Sequence, residues 1–230
     1  MQLNRISVLL AAGLLAAATV WAGGLDDFTQ GEMANGLKDS LRQGIKSAVG
    51  KLGQNNGFLN NPKVKIPLPD SLQKVEKMMK TLGMGKQADE LVVSMNHAAE
   101  KAVPQAQELM VDAVQKMSLQ DAQNILRGGD DSATKYFRTN TQEELHKRFL
   151  PIVTEVTSKV GLAQRYDQLA DKAKRFRLIE DDQANVEEYV THKAMDGLFL
   201  MMAEEEKKIR ANPVQAATSL AKRLFDAVRQ

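Results

Sequence analysis

Gly197-Leu-Phe-Leu-Met-Met-Ala203 is apolar on every side and runs without a break into Glu204-Glu-Glu-Lys-Lys208. A half-buried strand would alternate apolar with polar residues; this run does not, and the charged tail behind it is made of good helix formers. A helix that is apolar all round belongs inside, with other elements packed about it. Glu204 with Lys208, and Glu206 with Arg210, stand four residues apart in the favourable acid-before-base order. The stretch therefore predicts a long helix with one end buried and the other wet. It starts at Asp182 or Asn185 and reaches Arg210.

Outward from this helix the periodicity repeats. Asn212-Pro213 reads as the cap and first turn of a last helix with Val214, Ala217, Leu220, Leu224 and Val228 on one face. Leu162 to Phe176 makes the helix upstream, and Gly161 closes the helix before that. Thr141 with Glu144 has the capping-box spacing and predicts a helix start, while Pro151 predicts a kink or a division. Ser118 with Asp121 is a second capping box, and Gly128-Gly129 ends its short helix. Pro104 suits the first turn of a helix carrying Leu109, Met110, Ala113, Val114 and Met117. Lys86 to Val103, Asp70 to Leu82, and a stretch from Met33 through Leu37, Leu41, Ile45, Val49 and Leu52 complete the set.

One segment departs from the helical period. Lys63-Val-Lys-Ile-Pro-Leu-Pro69 alternates Lys63 and Lys65 with Val64, Ile66 and Leu68, and its prolines remove N–H donors and disfavour helix before them. It reads as an extended strap or short strand that covers the domain with its apolar members inward. The predicted fold is all-α: a single globular bundle of about nine or ten helices around a central hydrophobic helix, with one extended Pro-rich strap.

Residues 1–22 read as a cleaved signal peptide. Arg5 supplies the positive end, Ile6 to Ala18 the apolar core, and Val20-Trp21-Ala22 places small side chains, Val20 and Ala22, where a signal peptidase needs them before a cut at Gly23. Ile6 to Ala22 is 17 residues, short of the ~20 that span a bilayer. The expected product, residues 23–230, is a single helical domain in the periplasm that does not span the membrane. With the leader gone, 30 basic residues face 29 acidic ones, a balance that excludes a strongly basic nucleic-acid grip. The chain has no cysteine, so disulfides, thiolate metal sites, a cysteine nucleophile and a lipoprotein anchor are excluded.

Five blocks, in order, carry a family resemblance. They are Asn61-Pro-Lys-Val-Lys-Ile-Pro-Leu-Pro69, Gln73-Lys-Val-Glu-Lys77, Ala98-Ala-Glu-Lys-Ala-Val-Pro104, Ile125-Leu-Arg-Gly-Gly-Asp-Asp131, and Asp196-Gly-Leu-Phe199 on to Arg210. Together they resemble the exported bacterial helical family catalogued as domain of unknown function 4197, over roughly Gly36 to the C-terminus. The resemblance implies a secreted or periplasmic, helix-rich protein of Gram-negative bacteria, and it implies no reaction and no catalytic residues. Many relatives carry a lipoprotein signal; this chain lacks the required cysteine and departs from them there.

The candidate chemistry is sparse. His97, His146 and His192 fall on different predicted helices, which allows a three-histidine metal site, but no H-E-x-x-H occurs. Glu143-x-x-His146 has the spacing of a di-metal bundle ligand pair without its second copy, and Glu188 precedes His192 by four residues rather than three. The three histidines accordingly read as ordinary surface or capping residues, with neither metal nor cofactor expected. Ser94 and His97 share a helix face but lack the strained turn of an activated serine. Gly128-Gly-Asp-Asp-Ser-Ala-Thr134 reads first as a helix stop followed by a capping Asp. It also offers a ligand-binding corner: Asp130 and Asp131, with Tyr136 and Arg138 just beyond and Lys65 from the strap as a further candidate. Methionine pairs at 78–79 and 201–202 read as core packing.

These features favour a non-catalytic binding or interaction protein of the cell envelope, its partner a small ligand, a lipid or an envelope protein, and no nucleic acid. A metal-dependent or other hydrolase is the alternative, and a chaperone-like envelope factor the third reading.

Overall fold

The computed structural model describes residues 28–81, 85–159, 161–175, 185–212 and 218–228. Their helices are α1 (Gln30–Gly53), α2 (Asp70–Thr81), α3 (Gly85–Ala102), α4 (Ala106–Lys116), α5 (Leu119–Arg127), α6 (Ser132–Lys159), α7 (Leu162–Arg175), α8 (Val186–Ala211) and α9 (Ser219–Val228). A 3₁₀ turn at Val103–Gln105 carries Pro104 into α4. No strand occurs among the described residues, so the all-α expectation holds. None of these helices is long and apolar enough to cross a membrane. The expected signal segment, the stop at Gly83 and the first turn at Pro213 lie outside the described residues.

Local chemistry explains the starts. Thr29 and Glu32 form a reciprocal capping box on α1, and Ser118 and Asp121 do the same on α5. Asn185 accepts from the N–H groups of Glu187 and Glu188 at the start of α8. α6 differs from the expectation. It begins at Ser132, not Thr141, and continues through Pro151 without dividing. Thr141 is a buried mid-helix residue whose hydroxyl donates to the Phe137 carbonyl at 2.7 Å. Phe137, Thr141, Leu145, Phe149 and Val153 keep a four-residue step that outranks the local capping signature.

A single cluster of buried apolar side chains links every helix and the strap. In α8, which packs against α1, α3, α6 and α7, Leu198, Phe199, Met201 and Met202 are buried while Leu200 is 42% exposed, so the apolar run has one wet member. Each buried Leu or Phe is worth roughly 1.5–3 kcal/mol of transfer free energy. Charge pairing at the end of α8 also departs from the expectation. Glu206 and Arg210 do pair, but Glu204 turns to Lys63 of the strap, and Lys208 to Glu205 at 2.8 Å.

The strap is clamped at its middle. Ile66 N–H donates to Asn96 Oδ1, and Asn96 Nδ2 donates back to the Ile66 carbonyl, both at 2.8 Å and both buried. Val64, Ile66 and Leu68 are buried, and Lys65 is exposed, which is the inward alternation of a cover. Tyr189 of α8 adds a third tie, its hydroxyl donating to the Pro67 carbonyl at 3.0 Å. Burial, with the charge of Asp70 and the neighbouring Tyr166, pushes the Tyr189 phenol up to about 12, so it keeps the proton it donates.

Two helical glycines show opposite consequences of space. At Gly197 a Cβ would lie 2.6 Å from the ring of buried Phe58, so Gly197→Ala is expected to destabilise by about 1–3 kcal/mol. At Gly44 the nearest atom outside the helix would be 3.8 Å away, on Glu205, so Gly44→Ala is expected to stabilise by about 1 kcal/mol. Urea melts of the two variants should move in opposite directions.

Candidate functional site

The two longest helices, α6 and α8, pack together and present facing polar rows. On α6 the row is Arg138, Gln142 and His146; on α8 it is Glu188, His192 and Asp196, each at a four-residue step that holds one helix face. Between them lies a cleft of about 440 Å³, lined by both histidines, Arg138, Gln142, Glu143, Lys147, Met195 and Asp196. The rows sit on rigid supports, since Leu145 and Phe149 behind His146, and Val190 and Ala194 behind His192, are fully buried.

At one end of the cleft the two rows meet in an ion pair. Arg138 Nη1 lies 3.0 Å from Asp196 Oδ1, and the guanidinium stacks 4.5 Å from the centroid of the Phe199 ring. At the other end two imidazoles meet one carboxylate. His146 Nε2 is 2.7 Å from Glu188 Oε2, His192 Nε2 is 3.7 Å from the same oxygen, and the ring centroids are 5.3 Å apart. The donor atoms of these three residues lie within 4.8 Å of one another, the spacing at which a metal ion could be held. Among the described residues lining the cleft none is a serine, threonine or cysteine.

The remaining candidates stand elsewhere. His97 of α3 bonds through Nδ1 to Glu100 at 2.7 Å, and that carboxylate also accepts from the N–H groups of Asn56, Phe58 and Leu59. It belongs to a structural knot, so the three histidines do not come together. Asp131 pairs with Lys135 at 3.0 Å, and Asp130 approaches Lys207 at 3.8 Å. Asp130 lines a different hollow, with Gly128, Arg210 and Phe225. Tyr136 packs edge-on to Phe137, its phenol raised by burial and by Asp121. Lys65 stays on the outer side of the strap. Arg138 alone of the five lines the α6–α8 cleft.

The capping role read into Asp130 and Asp131 goes to another residue. Glu206, from α8, accepts the N–H groups of Ala133 and Thr134 at 2.9 and 3.0 Å and pairs with Arg210 at 2.9 Å. Arg210 in turn donates to the Ile125 carbonyl at 2.8 Å, closing the last turn of α5. Nothing in the local sequence of either corner points to this long-range cap.

Fold and site together define an all-helical protein with a polar, histidine-bearing cleft between its two longest helices. The chain belongs to the family described as "Protein of unknown function (DUF4197)", which it matches over residues 27–226. No curated protein and no solved structure matches it.

Proposed function

We propose that the protein is exported to the periplasm and that residues 23–230 act there as a single-domain, non-catalytic helical binding protein of the cell envelope. In this reading its nine or ten helices are arranged about α8, and a small polar ligand enters the α6–α8 cleft. The observation that carries the reading is the convergence of Arg138, His146, His192 and Asp196 on one concave surface, the arrangement in which a few placed polar groups orient a ligand. The hydroxyl- and thiol-free lining supports binding over nucleophilic catalysis. Native mass spectrometry of untagged protein from the periplasmic fraction tests it. A bound species on the wild type that is absent from the cleft-filling variant Gln142→Trp is expected, and empty protein of both kinds overturns the reading.

A metal-dependent hydrolase is the second reading, favoured by the grouping of His146, Glu188 and His192. Zinc-dependent turnover of simple ester or phosphoester substrates, lost in His146→Gln, would carry it; absence of turnover removes it.

A further inference from the structure

We propose that His146, Glu188 and His192 form a binding site for one divalent transition-metal ion of the zinc and copper class, bridging α6 to α8. The proposal rests on the cleft being a binding place and names the chemistry of what it takes.

The donor set selects the ion class. Two imidazole nitrogens and one carboxylate oxygen are borderline ligands that suit zinc, copper and nickel, whereas calcium and magnesium require oxygen shells. Three protein ligands with a cleft beside them match the open pattern in which a fourth position is left for water or a co-ligand. The geometry is near what such an ion needs. A tetrahedral site with bonds of about 2.0–2.1 Å places its ligand atoms about 3.3 Å apart. The observed separations of 2.7 and 3.7 Å from Glu188 Oε2 bracket that value, and all three donor atoms lie within 4.8 Å of one another.

Charge favours the same occupant. Arg138 is already matched by Asp196, which leaves Glu143 of the cleft lining, and Glu188 beside it against His146, to meet a dication, with Lys147 the other cation on the wall. The ligands also come from different helices. A local His–Glu pair on α8 would bind a metal weakly by itself; His146 reaches the same carboxylate oxygen from α6, and a shared ion would clip the two helices together.

The test uses the untagged full chain, stripped with a chelator and titrated with zinc chloride by calorimetry, with magnesium chloride as control. One zinc ion per chain and no magnesium heat are expected. His146→Gln and His192→Gln should each weaken zinc binding by at least about 10–100-fold, the loss that follows removal of even an outer-shell partner. At a matched zinc concentration the rise in thermal midpoint should be larger for the wild type than for either variant, since tighter binding to the folded state stabilises it more. The side chains are 30% and 66% exposed, so both variants should match the zinc-free wild type in circular dichroism. Zinc binding unchanged in both variants, or weakened in His192→Gln alone, would overturn the shared site. A second readout does not depend on the variants: one equivalent of copper(II) should give a paramagnetic resonance spectrum with coupling to two imidazole nitrogens, and coupling to one or none sinks the proposal. Failure here leaves an organic ligand in the cleft untouched, while empty protein in native mass spectrometry defeats the wider reading whatever zinc does.

Discussion

Glu206→Ala is expected to destabilise the protein by about 3–5 kcal/mol, the scale for breaking a buried ion pair from one side. The carboxylate is 7% exposed and its partner Arg210 10%, so water cannot replace what is lost. Two amides at the first turn of α6 and the Thr134 hydroxyl lose their acceptor, and a buried guanidinium loses its counter-charge. Glu206→Gln retains a carbonyl oxygen for one amide and should lie between alanine and wild type. The double variant Glu206→Met with Arg210→Met should cost less than the sum of the single changes, because it removes the pair without stranding a charge. Urea denaturation measures these variants and the two single methionine changes, and a Glu206→Ala loss below about 1 kcal/mol would show that the α6 start is satisfied in another way.

Glu100→Ala is the second large effect, at about 2–4 kcal/mol, from leaving partly or fully buried N–H groups without an acceptor. Oε1 accepts from Phe58 and Leu59 at 3.0 and 3.2 Å, and Oε2 from Asn56 at 3.1 Å. This one side chain thus holds the turn that seats Phe58 against Gly197 of α8. Glu100→Gln can keep its oxygen where Oε1 stands, so its loss should be under about 1.5 kcal/mol. If glutamine proves as damaging as alanine, charge rather than hydrogen-bond geometry governs the knot.

What could be read from the residues alone followed the range of each signal. Helical periodicity and the Ser118–Asp121 capping box are local, and they placed α1, α3, α5 and α8 closely. The strap's alternation was equally local, and its apolar members are inward. Thr141 misled because a four-residue motif was weighed without the longer step from Phe137 to Val153 that absorbs it. The cleft was harder to see for a different reason. Glu143–His146 and Glu188–His192 were both visible as spacings, yet spacing on one helix does not say which helix lies opposite. Only the packing of α6 on α8 turns two ordinary pairs into one group. The roles of the buried acids Glu100 and Glu206 as acceptors carried no local signal, beyond the Glu206–Arg210 pairing, since each serves backbone amides at least 41 residues away in the chain.

That last feature bears on how the chain matures. Residues 133 and 134 must wait for Glu206, which is 72 positions later than Thr134, so the start of α6 stays incomplete until most of the polypeptide has been made. Premature locking of an N-terminal portion, the usual order for nascent chains, is thereby opposed. Until residue 206 is made, the first turn of α6 is expected to fray for want of that acceptor.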